Sequence, residues 1–315
     1  MRDNEKIKNI KENVCLADYT TFRIGGRARY FFEVKEKKDL INILKWAKNK
    51  NIPFFVLGGG SNLLVKDEGF DGLVIKIQNS KFNIKNSKII ADAGVPLAKL
   101  VVESVNNNLR GLEWAVGIPG TLGGAIFGNT GAYGHSISEN IIKVKVLNLE
   151  GKILNFKNKE CFFSYRESVF KKRRDLIIME AELKLRKDKD NLVKEQVKEI
   201  LRERKNKIPN LPSAGSVFKN YVLKENDSEK DFLIKKFPEL KLRIKGNKLP
   251  VSYLIEQCGL KGKIIGQAQI SLKHSNFIVN LGKAKASDVL KLIEVCKKKV
   301  KEKFKIDIEE EIIYL

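Results

Sequence analysis

Two glycine runs and a handful of isolated polar residues carry whatever chemistry this sequence can do. The first run, Gly58-Gly59-Gly60-Ser61-Asn62, follows the apolar segment Ile52 to Leu57, and the second, Gly117 to Gly134, reads GIPGTLGGAIFGNTGAYG. Glycine belongs where φ is positive or where another group approaches the main chain. Successive N–H groups exposed in such turns form concavities that hold phosphate and other anions. Ile118, Pro119, Leu122, Ala125, Ile126, Phe127 and Tyr133 are interleaved with the second run, so it is not a flexible linker. A tight buried connection in a β-rich domain is the competing reading of that stretch. A dinucleotide-binding Rossmann unit requires G-x-G-x-x-G opening a helix. Here the first run enters Leu63-Leu64-Val65, another extended segment. That leaves a strand, a glycine turn and a strand, serving either as a phosphate-holding turn or as a hairpin.

Arg166 follows Tyr165 in the otherwise apolar context Cys161-Phe162-Phe163. An arginine there is either paired with a carboxylate or aimed at an anionic ligand. Ser216 lies between Gly215 and Val217, where small neighbours let a substrate reach its hydroxyl; a turn serine is the plainer reading. Near the C-terminus stand Glu309, Glu310 and Glu311, and strand alternation would send the first and third to one face. His135 and His274 are the only histidines, and neither sits in a metal-ligand spacing, so metalloenzyme and hydrolase readings start weak. Cys15, Cys161, Cys258 and Cys296 are far apart with no CxxC pair, as expected of reduced thiols in a cytosolic protein.

The elements that must position these residues can be read in order. Tyr30 to Val34 predicts a strand, Leu40, Ile43, Leu44 and Ala47 a helix face, and Ile52 to Leu57 a second strand, which makes a β-α-β unit. Leu73 to Ile77 and Lys88 to Ala93 read as strands. Pro96 opens a helix with Leu97, Leu100, Val101, Ser104 and Val105 on one face. Lys143 to Leu149 and Lys152 to Phe156 predict a hairpin, Leu176 to Leu185 a strand, and Asp190 to Lys207 a charged helix stopped by Pro209 and Pro212. Beyond that boundary Glu225 to Lys236 reads as a surface insertion, Val251 to Cys258 as a helix, and Ile264 to Ile270 and Phe277 to Asn280 as strands. Ser287 is placed to cap a last helix, and Ile306 to Leu315 closes the chain as a strand.

The chain has 315 residues, 43% of them hydrophobic, and a formal charge of +23 from 61 Lys+Arg against 38 Asp+Glu. Such a charge fits a nucleic-acid partner or an anionic small molecule. The lysines are scattered, however, and no Arg-rich arm or helix-turn-helix accompanies them, so most of the charge reads as solvated surface. The N-terminus, MRDNEKIKNIKEN, lacks the apolar core of a signal peptide, and no apolar run approaches the ~20 residues of a membrane span.

Taken in order, several motifs resemble the UDP-N-acetylenolpyruvoylglucosamine reductase (MurB) family of bacterial peptidoglycan synthesis. They are Tyr19 to Gly26, Val56 to Leu63, Gly117 to Gly134, Tyr165-Arg166-Glu167-Ser168, Ser213 to Asn220, Gly259 to Gly262 and the closing Glu311. The resemblance spans nearly the whole chain. Related flavin oxidases share only the first two glycine regions, so an oxidase with the same flavin domain is the alternative. A nucleic-acid binder is the third reading, motivated by charge alone. This sequence departs from the family in having Tyr221 where Pro usually follows Phe-Lys-Asn, and in a longer segment between Asn220 and Val251.

The resemblance implies an α+β fold: a two-subdomain FAD-binding module of the vanillyl-alcohol-oxidase type (1–86 and 87–208), a C-terminal α+β substrate-binding domain (209–301) and a last strand (302–315) carrying Glu311. It implies a cytoplasmic oxidoreductase with non-covalent FAD. NADPH would supply hydride, passed on to the enolpyruvyl group of a UDP-sugar, with no metal, nucleic acid or membrane involved. FAD contacts would fall on Leu57, Gly58, Gly59, Gly60, Ser61, Asn62 and Leu63, then on Ile118, Pro119, Gly120, Thr121, Gly123, Gly124, Ala125, Asn129, Gly131 and Ala132, and on Ile178. Ser216 would donate the proton, Arg166 and Glu311 would stabilise the enolic intermediate, and Tyr165, Lys219 and Asn220 would touch the substrate.

Overall fold

The strand Phe70–Ile77 is buried at Leu73, Val74, Ile75 and Ile77, the pattern of a strand covered on both faces. In this computed structural model, which describes residues 9–223 and 227–315, it pairs in parallel with both Arg27–Val34 and Phe54–Leu57. Lys11–Cys15 adds an antiparallel edge beside Arg27–Val34. The expected β-α-β unit is therefore present, but a later strand is inserted between its two strands. The helix Lys37–Asn49 makes the crossover and buries Leu40, Ile43, Leu44 and Ala47. Full burial of each of the leucine and isoleucine side chains contributes about 1.5–3 kcal/mol.

A second sheet is antiparallel throughout and runs in the order Ile153–Lys157, Ile141–Leu147, Ile177–Lys184, Lys88–Asp92, Phe82–Lys85. The last pairing bridges positions 86 and 87, where a subdomain cut was expected. The helix Leu97–Asn106 takes Pro96 as its N-cap and buries Leu97, Leu100, Val101 and Ser104. The charged helix begins at Val193 rather than Asp190, because the Asp188 carboxylate accepts the Val193 N–H at 2.9 Å.

By their contacts the residues fall into two units, each with its own core. The first holds Met1–Cys15, Arg27–Gly60 and Phe70–Lys205; the second holds Leu16–Gly26, Ser61–Gly69 and Asn206–Leu315. The C-terminal unit thus takes in two short N-terminal segments that no local pattern assigns to it. Its sheet is ordered Ser213–Ser216, Phe277–Asn280, Ala268–Ile270, Ile264–Ile265. Asn280, buried, ties in the first borrowed segment: its Nδ2 donates to the carbonyls of Phe22 and Arg23, each at 3.2 Å. The second borrowed segment supplies Leu63-Leu64, which pairs in parallel with Ile313-Tyr314. The hairpin reading of the first glycine run fails for that reason.

Four other expectations change. Ile264 to Ile270 is a hairpin, broken at Gly266, whose φ is +57. Only Ile313–Tyr314 of the closing segment is strand, with one further bridge from Phe218 to Glu310. The segment after Asn220 is not a solvated insertion: Tyr221–Val222 pairs with Lys248–Leu249, and Leu233 and Leu240 are buried in the second core. Lys224, Glu225 and Asn226 lie outside the described residues. Lastly, Ser287 is not the cap of the helix Ala286–Phe304. Its first-turn N–H groups, at Ala286 and Ser287, are accepted by the Asp67 carboxylate at 2.7 and 3.1 Å. Among the described residues no helix is long and apolar enough to cross a membrane.

The Asp67 bonds make a pH-dependent contribution. Burial works against this carboxylate, but the N–H groups of Ala286 and Ser287 outweigh it and hold the Asp67 pKa below its ordinary value. A depressed carboxylate pKa stabilises the fold above the unfolded-state value and loses that contribution as pH falls through the folded value. Asp67→Ala is expected to cost about 1 kcal/mol in chemical denaturation at pH 7. The gap from wild type should close as pH drops below about 4; a gap that does not change with pH would contradict the assignment.

Candidate functional site

The two glycine runs meet in the first unit. A Cβ on Gly59 would lie 2.5 Å from the Gly120 Cα, and one on Gly58 would lie 2.8 Å from the Thr121 Oγ1. At Gly59, main chain therefore packs on main chain. Thr121 has extended backbone angles and caps the short helix Leu122–Phe127, its hydroxyl accepting the Gly124 N–H at 3.3 Å. The helix lies directly on the Ala93 strand end: the Gly123 N–H reaches the Ala93 carbonyl at 2.8 Å, and a Cβ on Gly123 would come within 2.9 Å of the Ala93 Cβ. From below, the Lys76 ammonium donates to the Gly58 carbonyl. Burial pulls the Lys76 pKa below the ordinary lysine value, against the attraction of Glu33 on the neighbouring strand.

Tyr165 and Arg166 are the two central residues of a turn closed by reciprocal bonds between Ser164 and Glu167, each 3.1 Å. Arg166 has φ +58, a left-handed conformation that costs a non-glycine residue on the order of 1–2 kcal/mol. Such strain persists where the surroundings over-determine it. Here the Asn129 Nδ2 donates to the Ser164 carbonyl at 2.7 Å, and the Ser168 hydroxyl donates to the Phe127 carbonyl at 2.7 Å. The Arg166 Nη2 donates to the Gly131 carbonyl at 2.8 Å, and its guanidinium lies 5.4 Å from the Tyr165 ring centre. Hydrogen bonds thus join the turn of Tyr165 and Arg166 to Asn129 and Gly131, two residues of the second glycine run.

Ser216, Lys219, Asn62 and Glu311 belong to the second unit. Ser216 ends a strand paired with Phe277–Asn280, and the register slips between Ser213 and Ser216. Gly215, with φ +79, takes up that slip, so Ser216 follows a bulge and stays partly exposed. The next residues are held by Asn276, which is 4% exposed: its Oδ1 accepts the Phe218 N–H at 3.0 Å and its Nδ2 donates to the Phe218 carbonyl at 2.8 Å. The Glu311 N–H donates to the Val217 carbonyl at 2.7 Å, and the Glu311 carbonyl accepts from the Asn62 Nδ2 at 3.0 Å. Of the three glutamates, Glu309 is bound to the Lys219 Nζ at 2.7 Å and Glu310 to the Lys297 Nζ at 2.8 Å. Glu311 is the one whose backbone is bonded next to Ser216.

His274 adjoins the Ser216 cluster through Asn276. His274 is pushed below its ordinary pKa by burial; its Nδ1 accepts the Asn276 N–H at 3.3 Å and its ring meets Phe277 edge-on. His135 bonds Glu139 on the surface. Sequence reading passed over Asn276, Lys76, Lys171 and Arg204. Arg204 lies on the charged helix, and its Nη2 donates to the Gly117 carbonyl at 2.9 Å, at the head of the glycine stretch. No spacing rule signals the contacts of Asn276, Lys76 and Arg204, because each has a backbone partner supplied by tertiary structure.

Comparison with known proteins covers both units. Residues 206–315 match the C-terminal domain of UDP-N-acetylenolpyruvoylglucosamine reductase, and residues 28–157 match an FAD binding domain. The chain is similar to UDP-N-acetylenolpyruvoylglucosamine reductases of Clostridium novyi, 37% identical over 98% of this chain and 92% of that one, and of a Thermotoga species, 41% identical over 94% and 90%. Its structure is similar to the crystal structure of the reductase from Thermus caldophilus, with a TM-score of 0.77 and 32% identity, covering 97% of this chain and 99% of that one.

The glycine contact generates a direct test. Gly59→Ala forces a methyl against the Gly120 backbone, a clash of the kind that costs about 1–3 kcal/mol or displaces the loop. It is expected to lower FAD affinity sharply in titrations of the apoprotein. Gly128→Ala, whose Cβ would meet only ordinary contacts at 3.6 Å or more, should bind FAD as wild type does. Equal affinities for both variants would count against the cradle.

Proposed function

The chain belongs to the UDP-N-acetylenolpyruvoylglucosamine reductase family, and from that premise we propose that it reduces the enolpyruvyl group of UDP-N-acetylglucosamine enolpyruvate, with NADPH as reductant, to give UDP-N-acetylmuramate for peptidoglycan synthesis. The observation that carries the reading is the bond from Glu311 to Val217, which ties the candidate carboxylate to the strand of the candidate proton donor, Ser216. The glycine cradle fits FAD, since two glycine-rich turns meet at Gly59 and Gly120 and successive N–H groups of such turns hold a diphosphate. Bound FAD would accept hydride from NADPH and deliver it to the vinyl carbon of the substrate.

This chain's residues then have two tasks. Negative charge develops on the carbon bearing the carboxylate and spreads into that carboxylate as an enediolate. Arg166 is suited to it, because a guanidinium offers paired donors to two carboxylate oxygens and is pre-positioned by its turn. Glu311 polarises the same intermediate. Ser216 gives the proton that completes the reduction, and small neighbours leave its hydroxyl within reach. Lys219, Asn220 and Tyr165 serve as substrate contacts, and residues 209–301 as the domain that binds the UDP-sugar. A charged nucleotide sugar and NADPH are water-soluble reactants, so we assign the reaction to the cytoplasm.

Ser216→Ala is expected to keep NADPH-dependent flavin reduction while slowing product formation by roughly 10²–10⁴-fold, the usual contribution of a positioned proton donor. Glu311→Gln should slow the same step, and Glu310→Gln should not. Anaerobic stopped-flow measurement of the two half-reactions separates these outcomes. Equal loss of both half-reactions in Ser216→Ala would refute the proton-donor role.

A further inference from the structure

Arg166 could keep its left-handed turn only if something holds the backbone there, and its own carbonyl points to what does. The Lys171 Nζ donates to the Arg166 carbonyl at 2.7 Å and lies 3.4 Å from Glu167 Oε1. The Lys171 side chain is only 16% exposed. A lysine so largely withdrawn from water needs acceptors, and these two oxygens supply them. Its base is rigid: Lys171 sits on the short helix Val169–Lys172, where Phe170 is fully buried and meets Phe156 edge-on. The bonds between Ser164 and Glu167 close the turn without Lys171, so the lysine is not needed for the turn to exist. It acts on the orientation of the peptide plane at Arg166.

We propose that Lys171 is a positioning residue for Arg166: by gripping the Arg166 carbonyl it holds the arginine in the left-handed conformation from which the guanidinium meets the substrate carboxylate. Without the grip, the Arg166 peptide rotates toward ordinary negative φ and the guanidinium leaves its station beside Gly131. Lys171 does not touch substrate in this account. The proposal rests on the reductase reading for its effect on catalysis, though its effect on the backbone does not.

Lys171→Met, Lys171→Arg, Arg166→Ala and the double variant Lys171→Met/Arg166→Ala test it. Lys171→Met should bind FAD and be reduced by NADPH as wild type is. Its oxidation by the enolpyruvyl UDP-sugar should slow on the order of 10- to 100-fold, the scale set by a misplaced catalytic group. Lys171→Arg, which keeps a cationic donor, should recover most of that rate. In the Arg166→Ala background Lys171→Met should add little, because a residue acting through another is not additive with it. Independently of activity, the NMR Cα shift of residue 166 should move from its left-handed value in Lys171→Met and stay there in Lys171→Arg. An unmoved shift, equal slowing of both half-reactions, or a full additional loss in the double variant would overturn the proposal. If wild-type flavin, once reduced, were not reoxidised by the UDP-sugar, the reductase reading would fall, and the shift alone would decide the role of Lys171.

Discussion

Main chain touches main chain where Gly59 meets Gly120, and no side chain fits between them. Much of the first unit is arranged to keep that contact. Strand Phe54–Leu57 delivers the first loop, the Lys76 ammonium holds its carbonyl from the neighbouring strand, and Thr121 closes the second loop while starting a helix on the Ala93 strand end. A floor of bare peptide groups is costly in conformational entropy. Its use at Gly59 is close packing, since the two turns meet with no Cβ between them.

The second unit solves a different problem, which is to join segments distant in sequence. Ser216 is set by a glycine bulge and by the Asn276 side chain, which bonds to Phe218 much as a strand neighbour would. Glu311 arrives from the end of the chain and is bonded to Val217 and Asn62. Of the three adjacent glutamates, Glu309 pairs with Lys219 and Glu310 with Lys297.

Elements set by local pattern were legible in the sequence. The face Leu40, Ile43, Leu44 and Ala47, the opening of a helix at Pro96, the hairpin around Glu150-Gly151 and the glycine runs all follow from periodicity or from glycine and proline alone. What local pattern could not supply was pairing at long range. Leu63-Leu64 reads as half of a hairpin until Ile313-Tyr314 takes that edge. Ser287 reads as a cap until Asp67, 219 residues from Ala286, accepts the N–H groups instead. Arg204 reads as surface charge because its acceptor, the Gly117 carbonyl, carries no residue type to recognise. Motif order supplied what local physics lacked, since several weak signals in one sequence order single out a family that none of them would identify alone.

The central claim is that this chain carries hydride from NADPH to an enolpyruvyl UDP-sugar through bound FAD. The visible absorbance of the purified protein, recorded anaerobically, tests it most directly. The account predicts a flavin spectrum that bleaches on adding NADPH and returns on adding UDP-N-acetylglucosamine enolpyruvate. A protein that takes up FAD but is not bleached by NADPH, or one that stays bleached when the UDP-sugar is added, would contradict it.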